Sequence, residues 1–177
     1  MVLALTGCKS EAAPGGADAA TSQQAAAAAT APGTTANDPG RAPSRGFSDR
    51  IAWRTVDDAR SQAAAAGSPM MVLVHASWCG RCKELAPAFA EDEVVKASEG
   101  LVMVNIDQDE HPESLTTFAP DGKYVPRVLF FGPDGALLDE IVNPRSPKFP
   151  HYYSFGAKRE LVAAMRRAGT EARTPSR

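Results

Sequence analysis

Cys79 and Cys82 stand three residues apart in Ser77-Trp78-Cys79-Gly80-Arg81-Cys82, and His75 lies four residues ahead of Cys79. A thiol pair at this spacing can form a structural bridge, clip a metal ion, or pass electrons by thiol–disulfide exchange. A structural disulfide gains most from closing a long loop, and a two-residue gap closes almost none. A zinc clip needs four ligands, often from two such pairs. Only His75, His111 and His151 are available as extra nitrogens. The metal reading therefore reduces to a His75/Cys79/Cys82 site for copper or zinc, which stays open as the alternative. The redox pair is the reading that the spacing favours, with no bound metal and no cofactor other than the pair's own disulfide.

The flanking residues say how such a pair would be held. Met70–Ala76, MMVLVHA, is a near-continuous apolar run of the kind that forms a strand buried on both faces. A helix is expected from about Cys82, interrupted by Pro87. The pair thus falls where a strand gives way to a helix. Unpaired amide groups and the helix dipole stabilise an anion there, and the thiolate is the attacking species. A free cysteine titrates near ~8.5, and such positions bring it to roughly 3.5–7.5. Cys79 is the expected nucleophile, and Cys82, one turn into the helix, the resolving thiol. Gly80 leaves room for a substrate backbone. Trp78 either shields the site or packs in the core. Arg81 sets a positive charge beside Cys79, which favours the thiolate and makes the disulfide more oxidising. Its plainer role is a solvated guanidinium with little effect. His75 either tunes a thiol or is a packed strand-end histidine.

The remaining elements alternate. Ile51-Ala52-Trp53 is a short extended start. Thr55 and Asp58 resemble a capping box ahead of a helix that runs through Ala66 to Gly67, with Pro69 beyond. Leu101–Asp107 is a second buried strand and Arg127–Phe131 a third. Gly132-Pro133-Asp134-Gly135 is a turn leading to Ala136–Val142, an antiparallel partner. Ser154 or a neighbour caps a last helix with Leu161, Val162 and Met165 on one face, stopping at Gly169. The order β-α-β-α-β-α-β-β-α is an α/β fold, expected over residues 47–169.

The chain has 177 residues, a formal net charge of −2 and 44% apolar residues, which suits one soluble domain, expected as a monomer, plus unstructured extras. The near balance of charge argues against nucleic-acid binding. Residues 9–46 carry no aromatic residue before Phe47 and no Val, Leu, Ile or Met. Such a segment cannot offset the entropy lost on ordering, so it reads as a disordered tether, with a second disordered tail at 170–177.

Two resemblances complete the reading. Leu5-Thr6-Gly7-Cys8 resembles a bacterial lipobox, which implies a lipidated Cys8 and a truncated signal over residues 1–8, the start lying upstream. Several acyl chains would hold the protein to a membrane facing the periplasm. Lys9, in place of the Asp that marks inner-membrane retention, points to the outer membrane. Within the domain, Trp78-Cys79-Gly80-Arg81-Cys82 between a strand and a helix resembles the active-site motif of the thioredoxin superfamily. Pro87 matches its kinked helix, and Val125-Pro126 its cis-proline loop. RGF.D.I.WRT..DA, P.MV..H.SWCG.CK.L.P.FAE and F.PDG.Y.PR.LF are similar to thioredoxin domain-containing protein 12 and the anterior gradient proteins. The resemblance implies a thioredoxin fold, a central mixed sheet flanked by helices, and an extracytoplasmic thiol–disulfide oxidoreductase working on protein thiols and disulfides with a further redox partner. It implies that Val125, Pro126 and Arg127 meet substrate, although Arg127 can equally pair with an acid. It also marks a departure: Leu73 stands six residues before Cys79, where thioredoxins bury an Asp or Glu that helps deprotonate the second cysteine. A non-enzymatic metal carrier or chaperone-like module is the alternative function. The loop Pro144–Tyr153 is either part of a substrate surface or a packed excursion.

Overall fold

The computed structural model describes Asp38 and residues 40–171. Cys8, most of the tether and the end of the tail lie outside the described residues.

Four strands make one sheet: β1 (Trp53–Arg54), β2 (Met70–His75), β3 (Val102–Asp107) and β4 (Arg127–Phe131), in the order β1-β3-β2-β4. β3 runs parallel to both β1 and β2, and β4 is antiparallel to β2. The sheet is mixed and flanked by helices, as expected. Every residue of β2 and β3 is buried. Because successive side chains point to opposite faces, each strand feeds two cores. Met71 and Leu73 pack with Trp53, Phe89, Leu161, Met165 and the two cysteines, whereas Val72 and Val74 pack with Val104, Leu129 and the Ala59 and Ala63 of a helix.

That helix is α1 (Val56–Ala66). Thr55 caps it, its hydroxyl accepting from the Asp58 amide at 3.3 Å. It ends at Gly67, whose φ of 60° lets its amide turn back to the Ala63 carbonyl. The helix after the cysteines is broken into three. α2 (Gly80–Leu85) gives way to a 3-10 turn, Ala86–Ala90, because Pro87 lacks an amide hydrogen. Glu91 is extended at ψ 138°, and α3 (Asp92–Ser98) starts afresh. A short α4 (Ser114–Thr117) lies between β3 and β4.

Three boundaries differ from expectation. The strand expected over Ala136–Val142 shrinks to a single bridge between Phe131 and Leu137. The chain then turns at Leu138–Ile141 and drives Ile141 into the core. Past that point the outer edge of β4 is paired by the 143–153 loop instead, the Val128 amide donating to the His151 carbonyl at 2.8 Å. At the other edge, order starts before Phe47. Arg41 bridges Arg54, the Ala42 amide donates to the Trp53 carbonyl at 2.9 Å, and Asn105 Nδ2 holds the carbonyls of Pro43 and Ser44. Finally, α5 (Lys158–Glu171), entered through a 3-10 turn with Ser154 at its cap position, runs past Gly169. Burial of Met165 and Ala168 and the Arg167–Glu171 pair at 2.6 Å carry it through, outweighing the ~1 kcal/mol that glycine costs a helix.

Candidate redox site

The end of β2 delivers the chain to the cysteines, and α2 begins immediately after. Cys79 and Cys82 are joined as a disulfide, with their Cα atoms 5.3 Å apart. Cys79 occupies the cap position of α2, in extended backbone at ψ 108°. Its sulfur accepts the Cys82 amide at 3.0 Å, and its carbonyl accepts the amides of Cys82 and Lys83 at 3.2 Å. A backbone donor is therefore already aimed at the Cys79 sulfur, where a thiolate forms on reduction. Cys79 keeps 5% exposure against 2% for Cys82, so Cys79 is the less buried residue of the pair.

Val125 and Pro126 close the site from the far side. Their peptide bond is cis, and the Val125 carbonyl oxygen lies 3.8 Å from Cys79 Sγ. Gly80 faces open space, a β-carbon there meeting nothing within 4 Å. Trp78 is 65% exposed, so it is a surface aromatic beside the pair and not part of the core. The Arg81 guanidinium is engaged by Glu84 at 2.8 Å on the surface, and the Glu84 carboxylate raises its pKa further. It is an exposed charge paired with Glu84, nearer to the solvated guanidinium than to a charge committed to Cys79. Tyr152 lies within electrostatic reach of Arg81, and the Tyr124 ring packs on Phe149 at 4.9 Å. The 144–153 loop is at least in part the packed excursion of the two readings. Buried Tyr153 and Asn143 anchor it, the latter donating to the Tyr152 carbonyl at 2.7 Å, while Tyr152 and half-exposed Phe149 border the site.

Arg127 is a correction. It opens β4 and is fully buried, so it presents nothing to a substrate. Among the described residues, no acid pairs it directly either. Its Nε donates to the Phe118 carbonyl at 2.8 Å and its Nη1 to the Tyr124 carbonyl, fixing the loop that leads to Val125. Burial lowers its pKa.

Beside Cys82 lies a cavity of about 730 Å³ lined also by His75, Phe47, Arg45, Asp107 and Glu110. His75 is 3% exposed, its ring lies 4.8 Å from that of Phe47, and its Nε2 has no hydrogen-bond partner. Burial lowers its pKa, while Asp107, its partner in the β2–β3 register, pulls the other way. Arg45 and Glu110 form a two-pronged ion pair at 2.5 and 2.6 Å. Sequence reading did not reach Arg45, Asp107 or Glu110. The signal for Asp107 was there: two buried strands of equal length, each ending on a polar residue. Among the described residues, no three His, Cys, Asp or Glu side chains come together as a metal site.

Residues 52–133 match the family model described as Thioredoxin-like. Anterior gradient protein 1 of Xenopus tropicalis is 30% identical over 133 residues, covering 73% of this chain and 69% of that protein. Anterior gradient protein 3 of Mus musculus is 30% identical over 112 residues, 62% of this chain; the chain spans 66% of that relative, just under two thirds of its length. Among solved structures, a thioredoxin from Thermus thermophilus superposes with a TM-score of 0.54 at 17% identity, over 70% of this chain and 91% of that one.

Proposed function

Since the chain belongs to the thioredoxin superfamily, alongside the anterior gradient proteins, we propose that it is a thiol–disulfide oxidoreductase acting on protein substrates through Cys79 and Cys82. The observation that carries the reading is the Cys82 amide aimed at Cys79 Sγ at 3.0 Å, with the Val125 carbonyl 3.8 Å away on the other side. The amide stabilises the Cys79 thiolate as nucleophile or leaving group, and the backbone at Val125 offers an extended substrate segment a place to pair. In the reductive direction Cys79 attacks a substrate disulfide, forming a mixed disulfide and releasing one substrate thiolate. Cys82 then attacks Cys79, the internal disulfide forms, and the second substrate thiolate leaves. Open space at Gly80, exposed Trp78 and the Tyr152–Phe149 margin give a polypeptide access to the pair. The same proposal puts the domain outside the cytoplasm, held at a membrane by a lipidated Cys8 and facing the periplasm, with Lys9 favouring the outer membrane.

The test is insulin reduction driven by a small dithiol, comparing the wild type with Cys79→Ser and Cys82→Ser. The wild type accelerates precipitation of the insulin chains, Cys79→Ser is inert, and Cys82→Ser accumulates a mixed disulfide with insulin. Activity surviving in Cys79→Ser would remove the proposal.

A further inference from the structure

Cys82 must lose its proton before it can attack a mixed disulfide, and a thiol as buried as Cys82 holds that proton tightly. The carboxylate expected six residues before Cys79 is absent, its place taken by fully buried Leu73. Strand alternation puts Met71, Leu73 and His75 on one face of β2, the face whose core contains Cys79 and Cys82. His75 therefore stands one strand repeat beyond Leu73, roughly 6–7 Å further toward the cysteines at ~3.3 Å per residue. It lines the same cavity as Cys82, it is 3% exposed, and its Nε2 has no partner. A buried imidazole nitrogen left unpaired costs free energy unless something uses it.

From this geometry we propose that His75 accepts the Cys82 proton during resolution of the mixed disulfide, taking over two residues along the strand the task that an acid at position 73 would perform. The inference rests on the oxidoreductase reading above. In the reductive direction the Cys82 S–H proton moves to the imidazole, directly or through one water in the shared cavity. The Cys82 thiolate then bonds to Cys79 Sγ. The bond from Cys79 to the substrate sulfur breaks, its electron pair leaving on that sulfur, which takes the proton back from the imidazolium. In the oxidative direction the same transfers run backward.

The groups around His75 suit a transient cation. Asp107 faces it from β3 and favours the imidazolium, as does the Asn105 side chain on the same strand, whose Oδ1 is buried beside the ring and, like Nε2, without a hydrogen bond of its own. Arg45, from the segment before β1, and Glu110, from the loop after β3, are locked to each other at 2.5 Å and largely cancel. Lys83 of α2 also lines the cavity. Burial keeps the resting imidazole neutral, ready to accept a proton.

Single-turnover mixing of the reduced protein with Ellman's reagent separates the steps. The first thionitrobenzoate released reports attack by Cys79, and the second reports resolution by Cys82. His75→Gln is expected to slow the second phase relative to the first by roughly a hundredfold, the low end of what a positioned base contributes. The second phase of the variant should then follow the pH profile of an unassisted thiol. Equal slowing of both phases, or a second phase unchanged in rate and pH profile, overturns the proposal while leaving the oxidoreductase reading intact. A wild type with no first phase overturns both. Should His75→Gln not fold, NMR titration of the His75 ring in the wild type decides instead. Its midpoint should differ between the dithiol and disulfide forms, because the Cys82 thiol exists only in the first; one midpoint in both forms overturns the proposal.

Discussion

Arg127→Met and Arg127→Ala separate a structural arginine from a substrate-binding one. The side chain is fully buried, donates to the carbonyls of Phe118 and Tyr124, and leaves Nη2 without a partner. Arg127→Ala strips both carbonyls of their donor, at about 1–3 kcal/mol each, and opens a cavity of the kind that costs about 2–5 kcal/mol. Removing a desolvated charge offsets part of this. The net expectation is a loss of about 3–5 kcal/mol, a large share of the ~5–15 kcal/mol that holds a domain together. Arg127→Met keeps most of the volume and sheds the same charge, so it should lose only about 1–2 kcal/mol. Urea unfolding of the oxidised proteins measures both values. Since the side chain does not reach the surface, folded Arg127→Met should reduce insulin within about threefold of the wild type, under ~0.7 kcal/mol in barrier. The reasoning fails if Arg127→Met is as stable as the wild type yet reduces insulin more than about tenfold more slowly, ~1.4 kcal/mol, because the guanidinium would then be meeting substrate.

Burial lowers the pKa of both His75 and His151 from the ordinary 6.5. Between 6.5 and the folded values, the unfolded chain binds protons that the folded chain refuses. The stability from keeping these rings neutral is thus complete above about pH 6.5 and is lost as pH falls through that window, at up to about 1.4 kcal/mol per pH unit for each histidine. Urea midpoints that stay constant from neutral pH down to pH 5 would contradict this. On the surface, Glu84→Gln frees the Arg81 charge from its partner, so the Cys79–Cys82 couple should become slightly more oxidising in equilibrium with glutathione. The change should stay below the ~30 mV that corresponds to tenfold in the equilibrium constant, and salt should suppress it; a more reducing couple would refute the charge argument.

The parts of this fold that were legible are those governed by local chemistry. MMVLVH and VMVNID announce buried strands because both faces of each are covered. Thr55 and Gly67 mark the two ends of α1 because a cap hydroxyl and a left-handed residue act within one turn. The cysteine pair declares itself by spacing alone. What stayed hidden depends on distant contacts. The alternation of Ala136–Val142 reads as a strand until the turn at Leu138 sends Ile141 inward. Arg127 looks like a surface charge, because its partner carbonyl at Phe118 is set by tertiary packing and carries no sequence signal. The cavity beside Cys82 escapes notice because Arg45, His75, Asp107 and Glu110 arrive from separate segments. Residues 40–46 are too poor in apolar side chains to suggest order, yet backbone pairing along β1 holds them.

That pairing has a counterpart at the opposite margin of the sheet. Arg41 and Ala42 occupy the free side of β1, while Leu138 and His151 occupy the free side of β4 by bonds to Phe130 and Val128. A bare strand margin is a template on which a second chain can polymerise. Here the protein has used its own loops as selvedges, so a foreign polypeptide drawn to Cys79 can pair with the short backbone at Val125 but finds no open sheet margin to extend, and repeated encounters with unfolded chains need not seed a fibre.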